Sequence, residues 1–197
     1  MIELEEIKNY LKLNLSDKRF KHSLNTAETA LELANVFRED PQRAYISGLV
    51  HDCTRELDLA LQQSMLRELG IQVDSLTHSN AELLHAYSAE YLIRQKFRID
   101  DETIITAVKY HTTGKEAMEL LEKIIFLSDV IEPSRSFLGI DNIRQLSKCD
   151  LDEALIEAFD SSIKFLIGKK ATIHPDTIYA RNFIITHLQN KKWGKLI

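Results

Sequence analysis

The sequence predicts an all-α protein built as a single domain. Apolar residues recur at helical spacing nearly throughout, and strand-like alternation is scarce. Chain breakers are few, with 6 Gly and 3 Pro in 197 residues. Leu24, Ala27, Leu31 and Ala34 repeat at three and four and predict a helix over Leu24 to Val36. Pro41 opens the next helix at its first position, behind Asp40 as N-cap. Its inward stripe of Ala44, Ser47 and Gly48 ends on His51, and such small residues let another backbone come close. Leu61, Met65, Leu66 and Leu69 mark a helix that Gly70 ends. His85 shares a face with Ala81, Ser88, Ala89 and Leu92. Asp100 or Asp101 caps Ile104 to Tyr110, whose inward residues Ile104, Ala107 and Val108 lead to His111. Leu121, Ile124, Ile125 and Ser128 predict one more helix, and Leu151, Ala154, Leu155, Ala158 and Phe159 another. Irregular structure is expected over Ile131 to Ser147, which holds Pro133, Ser134, Ser136 and Gly139. It is expected again over Gly168 to Thr177, which holds Gly168, Lys169, Lys170, His174 and Pro175.

Composition narrows the function classes. Apolar residues at 44% and charged residues at 28% are ordinary for a globular protein, and the length suffices for a core without staples. A net charge of -5 offers no global basic field to nucleic acid. No run approaches the ~18 apolar residues of a membrane span. Met1 to Glu6 is acidic and lacks the order of a signal peptide. Cys53 and Cys149 form no CxxC, so neither a thiolate zinc site nor a disulfide framework is suggested. A cytoplasmic protein is expected, with an aromatic content of 8% that is compatible with a homodimer.

The chemistry gathers at helix ends. His51-Asp52 stands where an apolar run meets a charged stretch, and an imidazole beside a carboxylate supplies two ligands to one ion. His22 precedes the first predicted helix, while His85 and His111 face inward. Asp129 follows Leu121 and Ile125 at intervals of four, so it is expected to be buried, and burial without a cation is costly. Four His and two Asp are too many for one tetrahedral zinc and suit two ions sharing Asp52. His22, His51, Asp52 and Asp129 would hold the first ion, and Asp52, His85 and His111 the second. Imidazole and carboxylate without thiolate favour Fe, Mn or Zn. Such a pair generates a metal-bound hydroxide near neutral pH and stabilises phosphoryl charge, which points to a phosphoester or phosphoanhydride substrate. Arg19, Arg55, Lys115 and Arg135 lie near these positions in sequence, as a polyphosphate would require. His78 lies in a polar stretch and His187 near the C-terminus, and neither joins the set.

The order His22, His51-Asp52, Asp129 resembles the H…HD…D pattern of HD-domain phosphohydrolases, with His85 and His111 resembling the extra histidines of the dinuclear members. Segments from about residue 16 to 185 look like the YqeK family: Arg19 to Ser23, Leu49 to Leu57, Tyr110 to Gly114, Leu127 to Arg135 and Ile173 to Asn182. The resemblance implies an all-helical HD domain over 1–197, with a core at about 16–185 and short helical extensions. It implies a di-iron centre, with Mn or Zn as substitutes, and hydrolysis of diadenosine tetraphosphate at its midpoint to two ADP. Arg135, Arg55 and Lys115 would then serve the reaction beside Asp52. Thr112, Thr113 and Gly114 would offer donors to phosphate together with Arg19, and His174 and Arg181 would line the nucleotide side. One departure is Arg55, where the resemblance leads one to expect Lys in many members; a planar fork replaces a point charge. Two rival readings share the pattern: an HD nucleotidase or phosphodiesterase acting on another nucleotide, and a nucleotide-binding regulator without turnover.

Overall fold

The structure is a computed structural model that describes residues 3–193; residues 1, 2 and 194–197 of the expected 1–197 domain lie outside the described residues. Helix α1 spans Leu4–Asn14 and α2 Asp17–Phe37. The sequence places His22 ahead of a helix beginning at Leu24, but α2 begins seven residues earlier, and His22 lies within it. The cause is Ser16. Its side chain accepts from the Arg19 N–H at 3.2 Å, while its own N–H and hydroxyl donate to Glu56 at 2.7 and 2.6 Å.

Helix α3 (Pro41–Val50) starts as the sequence predicts, with Asp40 accepting from the N–H groups of Gln42 and Arg43. Residues 51–57 are a run of tight turns rather than a continued helix. Helix α4 (Leu59–Leu69) ends at Gly70, and α5 is the single turn Ser75–His78. Helix α6 (Ala81–Tyr91) runs on into a π-helical turn over Leu92–Lys96. Helix α7 (Glu102–Lys109) is capped by Asp101, which settles the choice between Asp100 and Asp101. Helix α8 is Leu120–Ile131.

The predicted irregular stretches are shorter than the sequence suggests. Helix α9 (Ile140–Leu146) fills the second half of Ile131 to Ser147, with buried Ile140 and Ile143 as its anchors. The Pro, Ser and Gly residues that signalled a loop all precede it. Helix α10 (Leu151–Gly168) includes Gly168, and α11 (Pro175–Trp193) begins at Pro175, so the second loop is 169–174. No described helix is long and apolar enough to cross a membrane.

Two apolar cores flank the ligand-bearing helices. One gathers Ile7, Leu11, Leu49, Val50, Phe97 and Ile104. The other gathers Leu33, Ile124, Ile125, Leu127, Leu155 and Phe159. Helix α2 serves both, with Ala27 in the first and Ala30 and Ala34 in the second. Helices α3 and α8 pack on each other and each packs on both α2 and α7, while α6 packs on α7.

The tightest approach is at Gly48. A Cβ there would lie 2.8 Å from the Ala27 Cα and 3.0 Å from the Thr26 carbonyl oxygen. The stripe of small residues thus serves to press α3 onto α2, as the sequence suggests. Gly48→Ala is therefore expected to destabilise the protein by about 1–3 kcal/mol through overpacking, although Ala outranks Gly as a helix former. Chemical denaturation checks this, and equal or greater stability in the variant would refute the close approach.

Candidate metal centre

Five helices or their ends each bring a histidine or aspartate to one place. His22 comes from the second turn of α2, and His51-Asp52 from the end of α3. His85 comes from α6, His111 follows α7, and Asp129 lies in the last turn of α8. The Asp52 carboxylate sits between two histidine pairs. Its Oδ2 lies 3.2 Å from His51 Nε2 and 3.5 Å from His22 Nε2. Its Oδ1 lies 3.0 Å from His85 Nε2 and 3.7 Å from His111 Nε2. Asp129 Oδ1 is 2.9 Å from His22 Nε2 and 3.8 Å from His51 Nε2. Two overlapping groups have ligand atoms all within 4.8 Å of one another: His22, His51 and Asp129, and His51, Asp52 and His111. His51 thus stands between the two sides, whereas the sequence pattern assigns it to one alone.

Hydrogen bonds behind the rings decide which nitrogen is free. His51 Nδ1 donates to the Gly48 carbonyl at 2.7 Å, and His111 Nδ1 to the Val108 carbonyl at 2.6 Å. A carbonyl only accepts, so each Nδ1 carries the hydrogen and each neutral ring keeps a lone pair on Nε2. His22 Nδ1 faces Glu132 Oε1 at 3.1 Å, which sets the same arrangement. The Nε2 atoms of His22 and His51 then meet at 3.2 Å, while those of His85 and His111 lie 3.1 Å apart with no partner fixing the hydrogen of His85. Facing lone pairs beside two carboxylates repel unless positive charge lies among them. Imidazoles and carboxylates without thiolate are the donor set of a borderline or hard divalent ion, and the residues fit one.

Charge preferences agree. Burial opposes the Asp52 carboxylate, but His51, His111 and His22 around it hold its pKa well below the usual range. Burial lowers the His22 pKa, and Asp129, Asp52 and Glu132 reverse this and raise it to about 10. The carboxylates that hold a proton on His22 would also favour a metal ion in its place, with release of that proton. Burial dominates at His85, whose pKa falls to about 4 despite Asp52, so its ring is neutral and able to ligate near pH 7.

Residues 19–134 match the family model described as the HD domain. The chain belongs to the HD-domain family. Relatives cover nearly its whole length. A Halalkalibacterium halodurans protein named bis(5'-nucleosyl)-tetraphosphatase, symmetrical, is 38% identical over 89% of this chain and 93% of its own. A Bacillus subtilis protein of the same name is 34% identical over 92% and 97%. The crystal structure of a "predicted HD superfamily hydrolase involved in NAD metabolism" from Clostridium acetobutylicum superposes with a TM-score of 0.91. It is 41% identical and covers 95% of this chain and 99% of that one. The YqeK-like resemblance and the all-helical HD fold therefore stand.

The layer around this HD centre departs from the sequence expectations in several places. Asp129 is not the sealed carboxylate expected: a fifth of its side chain is exposed, and Arg135 pairs with it at 2.5 Å. Of the two aspartates it is Asp52 that is almost wholly buried, at 3% exposure. Arg19 reaches Asp52 Oδ2 at 2.6 Å, and Arg135 also donates to the Asp129 carbonyl at 2.9 Å, so both stand at the cluster. Arg55 pairs instead with Glu82, three residues before His85 on α6, where the turn after Asp52 directs it. Lys115 pairs with buried Glu122 at 2.9 Å, seven residues before Asp129 and so about 10 Å away along α8.

The phosphate-binding turn expected at Thr112 to Gly114 is largely engaged already. Thr113 donates to the Gly114 carbonyl at 2.9 Å, and the Gly114 N–H donates to the Tyr110 carbonyl at 2.8 Å. Gly114 has φ +67, and a Cβ on it would meet Phe159 Cζ at 2.7 Å and the Ala180 Cβ at 3.0 Å. Only the Thr112 hydroxyl faces the cluster, 3.3 Å from His111 Nε2.

His174 and Arg181 hold the C-terminal hairpin instead of the centre. His174 Nε2 contacts Asp74 and Thr77, each at 3.2 Å, while its Nδ1 accepts from the Asp176 N–H. Arg181 pairs with Asp160 across α10 and α11. His78 and His187 are exposed and apart, as expected.

Glu132 is the residue that the sequence reading missed. It is fully buried three residues after Asp129, and it also accepts from Asn25 Nδ2 at 2.9 Å. The available signal was spacing: Asn25 follows His22 by three and Glu132 follows Asp129 by three, each on the face of its ligand. His174→Ala is expected to cost roughly 1–3 kcal/mol of stability, and Arg181→Ala at most about 1 kcal/mol. Both should leave KM unchanged. A tenfold rise in KM would return these residues to the substrate side.

Proposed function

We propose that this chain is a metal-dependent phosphohydrolase that splits diadenosine tetraphosphate symmetrically into two ADP. The observation that carries the reading is Asp52, whose two oxygens face two different histidine pairs. Support comes also from relatives named symmetrical bis(5'-nucleosyl)-tetraphosphatases that align over about nine-tenths of the chain. We assign His22, His51, Asp52 and Asp129 to one ion and Asp52, His85 and His111 to the other, with iron as the native metal and Mn or Zn as alternatives. The cytoplasm is the proposed location and a homodimer the proposed assembly. When bound, such ions act as Lewis acids that polarise phosphoryl oxygens and bring water deprotonation toward neutral pH.

The chain's own residues do the rest. Arg19 and Arg135 approach the cluster through different carboxylates, Asp52 and Asp129. A tetraphosphate laid over the cluster meets a guanidinium on each, and these forks pair with phosphate oxygens through parallel hydrogen bonds. The Thr112 hydroxyl adds a neutral donor beside His111. Charge that develops on the attacked phosphoryl group faces this set. ADP leaves as a stable anion and needs little protonation, which agrees with the lack of an assigned general acid.

Product analysis tests the reading. Metal-loaded protein is expected to give ADP as sole product from diadenosine tetraphosphate and to leave NAD intact, since two phosphates cannot yield two diphosphates. Formation of ATP plus AMP, or cleavage of mononucleotides with the tetraphosphate untouched, would overturn it. A chelator should abolish turnover, and added metal should restore it. His51→Ala, at the junction of both sides, should lose metal and turnover together, and undiminished activity in that variant would refute the ligand assignment.

A further inference from the structure

The end of α8 grips His22 at both ring nitrogens. Asp129 Oδ1 lies 2.9 Å from Nε2, and one helical turn later Glu132 Oε1 lies 3.1 Å from Nδ1. Glu132 is fully buried, and a buried carboxylate is costly unless donors surround it. It accepts from His22, from Asn25 Nδ2 at 2.9 Å, from the Ser134 N–H at 2.7 Å and from the Ser134 hydroxyl. The chain that carries it is pinned as well. Arg144 donates to the carbonyls of Ile131 at 3.0 Å, Glu132 at 2.9 Å and Arg135 at 3.1 Å. Glu132 can therefore neither swing to solvent nor reach the centre itself.

The three rings with a partner behind them are not equivalent. His51 and His111 are backed by neutral backbone carbonyls, of Gly48 and Val108. His22 alone among them is backed by a carboxylate. His85 Nδ1 is buried and has no partner. A charged acceptor behind Nδ1 draws its proton and makes the opposite nitrogen a stronger electron-pair donor, while also fixing the ring plane.

We propose that Glu132 is a positioning residue that acts through His22: it locks the ring with Nε2 toward Asp129 and strengthens that nitrogen as a ligand, making the His22 side the tighter of two metal sites. The inference rests on the reading of this cluster as a metal centre. It goes beyond that reading by ranking the two sides and by giving a buried residue outside the ligand set control over one of them.

The test is a titration of the full-length, metal-stripped protein with manganese(II), in which the resonance signal of the free ion measures what is unbound. Glu132→Gln keeps the shape and removes the charge. It is expected to weaken the tighter binding step about 10–100-fold and to leave the weaker step unchanged. A residue that merely clamps the loop would lower the unfolding temperature and leave both affinities at wild-type values, and that result overturns the inference. Should Glu132→Gln fail to fold, Asn25→Ala decides, since it frees the carboxylate without removing it. A smaller loss in the same binding step is expected there, and wild-type affinity overturns the inference. Wild-type protein that binds no manganese would instead overturn the metal reading, and the inference with it, so the two failures are distinct.

Discussion

Ring nitrogens turned on one another beside two carboxylates, in a nearly dry space, are the constraint around which this molecule is organised. Four imidazoles and two carboxylates converge from five helices, with the Nε2 atoms of two ring pairs at 3.1 and 3.2 Å. Three of the rings keep their Nδ1 hydrogens on the carbonyls of Gly48 and Val108 and on Glu132, so their Nε2 atoms stay turned toward the cluster. The fold imposes this before any ligand arrives. The bare face of Gly48 lets α3 lie against α2 at Ala27, and this contact brings His51 to His22. Without that approach the two rings would belong to separate surfaces.

Much of this was legible in the sequence because helical spacing reports which side of a segment is buried. His51, His85 and His111 each continue an apolar or small-residue stripe, and all three are buried. What spacing does not report is the direction of a side chain beyond a helix end. Arg55 lies three residues after Asp52, yet the intervening chain is a turn and not a helix, so the side chain reaches Glu82. Lys115, Thr113 and Gly114 follow His111 closely but are committed to Glu122 and to the turn itself. Asp129 continues an apolar stripe and is expected to be buried, but Arg135 folds back onto it from a segment without periodicity, and periodicity says nothing of how such a segment folds back. Glu132 escaped notice for the same reason: its partners Asn25 and Ser134 come from different elements.

The distribution of cations bears on recognition. Of the four basic residues that stood near the ligands in sequence, two meet the cluster and two neutralise carboxylates elsewhere. In a chain with a net charge of -5, attraction for a polyphosphate is a local property of the centre and its two arginines. Association should therefore depend more on the charge gathered at this centre than on the field of the whole protein.

Gly114 carries a consequence for where the domain ends. Because this glycine has no Cβ, the ring of Phe159 on α10 and the methyl of Ala180 on α11 pack directly against the turn after His111. Both residues lie well beyond position 134. The family signature therefore ends before the physical unit does: α10 and α11 form the wall against which the turn after His111 is set, and they are not an appendage. Cut at the boundary of the signature, the chain would keep every proposed ligand and lose the surface that seats one of them.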